Sequence, residues 1–354
     1  MSTFTISILA TLDPVVRAAL AFQLATDSPD TVVVSHDVDE DGVRHVASGA
    51  CGVVENESAP LEHSCLSCAV REDVIPTLVR MRDEGCWAHA VVALPVTADP
   101  APLLRSLEHE MGRAGVLAGA RFGSVIAALD AVTLVDDAFC DEWLDDLGLG
   151  LSNDDDRVLA EAVGPVVSVA DVVLLLSESE VTPEARALAT HLRGEGAAVM
   201  DGVLGEVDAE RLLSRRGRPA DALARIAPAH RTSRVTKDEN GVWTLVLDSP
   251  QAFHPARLRE SIHRFADHNV QARGHFWVAS RPEGLCVWEA AGGQVRVGEH
   301  GPWPSARRRR THLRITGMGA DRAQIAQAFA DSLLRPGEAI DADADTMEDW
   351  FPEA

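Results

Sequence analysis

Residues 5–10 (T-I-S-I-L-A) form a short apolar run, and helical spacing takes over behind Pro14. The pattern predicts a strand over 5–10 and a helix over 15–26, with the proline suited to a first helical turn. Residues 31–36 (T-V-V-V-S-H) are β-branched and predict a second strand, and 70–82 has helical spacing. The runs 87–94, 124–129 and 171–176 (D-V-V-L-L-L) predict buried strands, with a helix over 183–193. Short apolar strands between amphipathic helices predict an α/β domain: a mainly parallel sheet with helices on both faces. Such a sheet presents its functional loops at the C-terminal ends of its strands.

The strand signal lapses over 205–235, where Arg211, Arg215, Arg216 and Arg218 suggest a helical, solvated connector. A second pattern follows, with strands over 242–247, 274–279, 285–290 and 294–297 and a helix over 255–268. Gly292-Gly293 is a hairpin turn. A last strand over 312–316 and a helix over 321–334 complete a smaller α+β module. The expected organisation is an α/β domain over 1–204, a connector over 205–235, the α+β domain over 236–338 and an acidic tail over 339–354.

Charge separates these parts. Residues 1–227 hold 16 basic and 38 acidic side chains, net −22, whereas 228–338 is net +5 and the tail is −6. The overall −23 argues against a chain coated for DNA. The basic module includes Arg307, Arg308, Arg309 and Arg310, either a solvated loop or a patch for RNA phosphates. No apolar run reaches the ~20 residues a membrane span needs. The opening residues lack a basic n-region, and the expected location is cytoplasmic. Six cysteines in 354 residues are too few for a disulfide framework. The only lysine is Lys237, which excludes a phosphate-binding or Schiff-base lysine from the N-terminal half.

The sharpest local chemistry is His63-Ser64-Cys65-Leu66-Ser67-Cys68. A C-x-x-C turn can aim Cys65 and Cys68 at one zinc ion, with His63 as a possible third donor. The same spacing also suits a redox pair, or two small residues packed under a helix start. Cys51, Cys86, Cys140 and Cys286 are scattered and read as buried filler. Asp154-Asp155-Asp156 reads as a helix start with favourable N-terminal charge. His263 and His268 are expected to face solvent from a helix.

Several of these stretches resemble one family. Gly274-His275-Phe276-Trp277-Val278-Ala279-Ser280-Arg281-Pro282, then Gly292-Gly293, then Gly301-Pro302-Trp303 resemble the signature of the CobW C-terminal domain. Ser64-Cys65-Leu66-Ser67-Cys68-Ala69-Val70-Arg71-Glu72-Asp73 resembles the family's G-C-x-C-C-x-x-R-x-D segment, with Ser67 for its middle cysteine and Ser64 for its glycine. Ala98-Asp99-Pro100-Ala101-Pro102 resembles its A-D-P-A-P loop, and Asp130-Ala131 and Ala170-Asp171 fall where it has such pairs.

The resemblance implies a P-loop NTPase-like fold and a metallochaperone GTPase. The nucleotide motifs depart from it. The first strand runs into Thr11, Leu12, Asp13 and Pro14 rather than a glycine-rich loop ending in lysine. Ala93-Leu94-Pro95-Val96 replaces an acidic, glycine-containing segment, and Ser177-Glu178-Ser179-Glu180 replaces the guanine-reading N-K-x-D. These losses imply a pseudo-GTPase in which bound GTP is not expected. The combination resembles an actinobacterial branch known for recruiting a hibernation-promoting factor to the small ribosomal subunit when zinc is scarce. By that resemblance Cys65 and Cys68 carry a zinc-linked role and the partner is the ribosome. The alternative is a zinc metallochaperone that serves a zinc-dependent client apoprotein.

Overall fold

The computed structural model describes residues 4–39, 42–63, 65–152, 154–227, 237–265, 269–305, 309–338, 340 and 350. The chain divides into two compact units. The first comprises Met1–Val135, Trp143–Arg157 and Ala162–Ile226; the second comprises Asp136–Glu142, Val158–Glu161 and Ala227–Ala354. The stretch 205–226, expected as a connector, lies in the first unit and carries two short helices there.

The first unit is built on an eight-stranded sheet. Its strands are β1 (Thr5–Thr11), β2 (Thr31–Asp39), β3 (Gly42–Gly49), β4 (Gly52–Ala59), β5 (His89–Ala93), β6 (Arg121–Asp130), β7 (Val172–Leu176) and β8 (Ala198–Gly202). The order is β4-β3-β2-β5-β1-β6-β7-β8. β2, β5, β1, β6, β7 and β8 run parallel, and β3 and β4 add an antiparallel hairpin at one edge. β1, β5 and β7 are buried along their whole length, as their largely apolar runs predict for central parallel strands. The hairpin was not expected from sequence, because β4 (G-V-V-E-N-E-S-A) is largely exposed and mostly polar.

Two helical passages matter for the site. Helix α1 (Pro14–Asp27) follows β1 after only Leu12 and Asp13. The second passage is α2 (Leu66–Ala69), a π-helical turn over Val70–Val74, and α3 (Ile75–Glu84), which ends at left-handed Gly85. The spacing of 70–82 thus marks a helix with one wide turn in it, and such turns often serve functional sites.

The second unit holds a five-stranded antiparallel sheet of β9 (Val242–Ser249), β10 (Val270–Val278), β11 (Arg281–Ala291), β12 (Gln294–Pro302) and β13 (Thr311–Met318). Its order is β12-β11-β10-β13-β9. Helices Pro255–Ser261 and Arg322–Ser332 pack against one face, over a core that includes Phe253, Phe265, Phe276 and Trp288. The expected helix over 255–268 ends early in a 3-10 turn at Ile262–Arg264, and His268 lies outside the described residues. His263 is exposed, as expected.

Gly274 is required by this sheet. It faces Leu313 across the ladder, and a Cβ there would stand 2.0 Å from the His312 carbonyl oxygen. That atom belongs to backbone and cannot rotate away. Gly274→Ala is therefore expected to lower stability by about 2 kcal/mol, read as a lower urea midpoint. An unchanged midpoint would show that β13 yields freely.

Among the described residues, no helix is long and apolar enough to cross a membrane.

Candidate metal centre

The C-x-x-C loop opens the second helical passage. Cys65 sits at the N-cap of α2 with extended backbone, and its sulfur accepts the Cys68 amide at 3.5 Å. The Cys68 sulfur lies 3.9 Å from Nδ1 of His63. Arg71 Nη2 is 3.8 Å from the same sulfur and also donates to Glu62 and Glu72 at 2.9 and 2.6 Å. Cys65 and His63 are exposed, and Cys68 is buried. The Cys65 thiol and burial push the Cys68 thiol above its ordinary value, against His63 and Arg71, which pull it down. The loop thus brings Cys68 to both His63 and Cys65. Among the described residues, the donor atoms of His63, Cys65 and Cys68 are not all within 4.8 Å of one another. Two thiols and an imidazole suit zinc in kind.

A second cluster lies on the neighbouring strands. His36 on β2 and His45 on β3 are direct partners in the antiparallel ladder, so their side chains leave the same face together. Asp73, in the π-turn, reaches between them. Its Oδ2 is 3.0 Å from His36 Nε2, and its Oδ1 is 2.8 Å from His45 Nδ1. All three are buried, at 1%, 2% and 7% exposure. Their donor atoms lie within 4.8 Å of one another. His45 Nε2 is also 3.3 Å from Glu55 Oε2 on β4, and Glu55 pairs with Arg80. Burial holds the His36 imidazole below its ordinary value despite Asp73. Burial also acts on Asp73, but the imidazoles of His36 and His45 outweigh it and keep the carboxyl low.

Of this cluster, sequence singled out only Asp73, through the R-x-D spacing. The signal for His45 was present in G-V-R-H-V-A-S-G, where Val43, His45 and Ala47 alternate inward.

At the first strand's end the carboxylate of Asp13 caps α1. Its Oδ1 accepts the amides of Val15 and Val16 at 2.7 and 2.8 Å. Arg17 pairs with Asp37 at 2.5 Å and donates to the carbonyls of His36 and Ala93. Asp99 accepts the Ala101 amide and Asp130 that of Val132, so these two family-like aspartates shape local turns, whereas Asp171 accepts the amide of the distant Val125 and pairs with Arg225.

Other expectations change. Asp154, Asp155 and Asp156 stop short of the helix that starts at Leu159, and Asp155 is held instead by Arg157 at 2.7 Å. Cys51 and Cys86 are exposed rather than buried; Cys286 is buried and Cys140 intermediate. Arg307 and Arg308 lie outside the described residues. Arg309 pairs with Glu283 at 2.5 Å and stacks over Trp277, and Arg310 pairs with Asp248. Two members of the basic run are thus engaged within the domain.

Residues 242–333, which span the sheet of the second unit and its last helix, match the family described as the cobalamin synthesis protein cobW C-terminal domain. Most of the chain is similar to a Mycobacterium tuberculosis protein named zinc chaperone Rv0106, 28% identical over 293 residues, 78% of this chain and 69% of that protein. A Dictyostelium discoideum protein named zinc-regulated GTPase metalloprotein activator 1 is 19% identical over 259 residues, 69% of this chain and 54% of that protein. The crystal structure of Zn(II)-bound YjiA GTPase from E. coli aligns over 94% of this chain and 99% of its own, with 15% identity and a TM-score of 0.37.

Proposed function

We propose that this protein is a zinc-handling member of the CobW group. In this reading it takes up zinc as cargo through the Cys65–Cys68 loop and passes it to a client apoprotein. The observation that carries this is the exposed loop in which Cys68 meets both His63 and the Cys65 thiol. A loop with Cys65 and His63 exposed above a buried Cys68 suits an ion that must leave again better than a closed four-ligand site does. The similarity to a protein named a zinc chaperone supports the same reading. Recruitment of a hibernation-promoting factor to the small ribosomal subunit ranks second. The basic run that would meet ribosomal RNA has Arg309 and Arg310 paired with Glu283 and Asp248.

The test is spectroscopic. Cobalt(II) added to the full chain is expected to give a thiolate-to-metal charge-transfer band in the near ultraviolet. Cys65→Ser/Cys68→Ser is expected to abolish it. A double variant with the unchanged band, or a wild type with none, overturns the reading.

A further inference from the structure

Four side chains from four separate segments converge in the first unit, and the function proposed above does not use them. His36, His45 and Asp73 are buried, and Glu55 stands at the edge of the group. Their contacts are close but incompletely satisfied. His36 Nε2 and Asp73 Oδ2 are 3.0 Å apart without the alignment of a hydrogen bond. Both ring nitrogens of His36, Nε2 of His45, Oδ2 of Asp73 and Oε2 of Glu55 are buried without a hydrogen-bond partner. A buried polar atom left so costs roughly 1–3 kcal/mol, and five in one group call for an explanation.

We propose that His36, His45 and Asp73 form a buried site for a divalent transition metal such as zinc, with ligands separate from the thiol pair. Two imidazoles and one carboxylate are a donor set such ions take, and they leave a fourth position open. A tetrahedral ion with bonds of about 2.1 Å spaces its donors by about 3.4 Å. The observed 3.0 Å between His36 Nε2 and Asp73 Oδ2 needs to open by only a few tenths of an ångström, and the 2.8 Å hydrogen bond between His45 Nδ1 and Asp73 Oδ1 gives way to a bond from His45 to the ion. At His36 Nε2 and Asp73 Oδ2 the ion takes up two of the unmatched atoms. The site also has an entrance. His45 belongs at once to the buried group and to a second group with Glu55 and Glu57 on β4, whose donors again lie within 4.8 Å of one another. Glu57 is exposed, Glu55 half-buried and His45 buried, so carboxylates lead from solvent to the inner imidazoles. The hairpin supplies both the second histidine and the way in.

The experiment uses the full-length Cys65→Ser/Cys68→Ser variant, which removes the thiols and leaves this group intact. Zinc is titrated against a competing chelator, and cobalt(II) spectra are recorded in parallel. One retained equivalent is expected, with d–d bands and no thiolate charge transfer. Adding His45→Gln is expected to weaken zinc binding by more than ~100-fold, beyond the ~10–100-fold typical of a lost outer-shell partner. Should that variant fold poorly, ring resonances of His36 and His45 in the double variant decide the matter: both must shift by one equivalent of zinc. Loss of all zinc from the double variant, binding weaker than millimolar, unmoved ring resonances, or unaltered affinity in a folded His45→Gln protein each overturn the proposal. Because the thiols are already gone, these outcomes are independent of the charge-transfer test above.

Discussion

Isothermal titration with magnesium GTP is expected to detect no binding tighter than about 1 mM. A micromolar P-loop site would bind about 4 kcal/mol more strongly, a thousandfold in affinity. A P-loop obtains that energy from backbone amides wrapped around the phosphates, the positive end of the following helix, and a lysine on the terminal phosphates. Here β1 ends at Thr11 and α1 begins at Pro14, so two residues stand where a glycine-rich loop would wrap. Pro14 brings no N–H. The next two amides, of Val15 and Val16, already donate to the carboxylate of Asp13. That carboxylate fixes a negative charge where phosphate would have to sit. Arg17, the nearest cation on α1, is committed to Asp37 and to the carbonyls of His36 and Ala93. The chain's one lysine, Lys237, falls in the other unit. Removing the carboxylate alone, as in Asp13→Gly, is expected to leave binding weak, because the countercharge is still missing. A micromolar dissociation constant for the wild type would refute this account.

Strands β1, β2, β5, β6 and β7 were readable because central parallel strands are apolar over much of both faces and leave short, largely apolar, β-branched runs. The loop of His63, Cys65 and Cys68 was readable because its partners lie within six residues. The pair of His36 and His45 was not. Its two members share a face only because β2 and β3 pair antiparallel in one particular register, and a slip of one residue would send them to opposite sides. The hairpin that sets this register carries an exposed polar strand with no clean alternation. Asp73 reaches them only through a π-turn, which shifts its direction from where regular 3.6-residue spacing would aim it. Local chemistry is legible one segment at a time. A site assembled by register and a helical irregularity becomes visible once the strands are paired.

Acid is expected to destabilise the first unit well above the pH at which carboxylates protonate. His89 opens β5, is 7% exposed, and places Nε2 2.9 Å from the Ser7 hydroxyl. Burial, with a smaller contribution from Arg216, lowers its pKa from 6.5 to about 4. Between those values the unfolded chain binds a proton that the native protein refuses. Stability linked to His89 is therefore complete above pH 6.5 and drains away as pH falls toward 4, by about 3 kcal/mol in all. His36, also held neutral by burial, adds a loss of the same sign below pH 6.5. Asp73, held low, withdraws its own contribution only below the ordinary carboxylate range. Urea unfolding at a series of pH values between 7.5 and 4 measures the sum, and His89→Asn isolates its share. Asparagine keeps a hydrogen-bonding group near Ser7 but does not titrate. The variant is expected to be weaker than wild type at pH 7.5 and to flatten the slope between pH 6.5 and 4. A slope that His89→Asn leaves intact would place the acid sensitivity elsewhere and refute the claim that a buried neutral imidazole on β5, beside β1, governs this unit's tolerance of low pH.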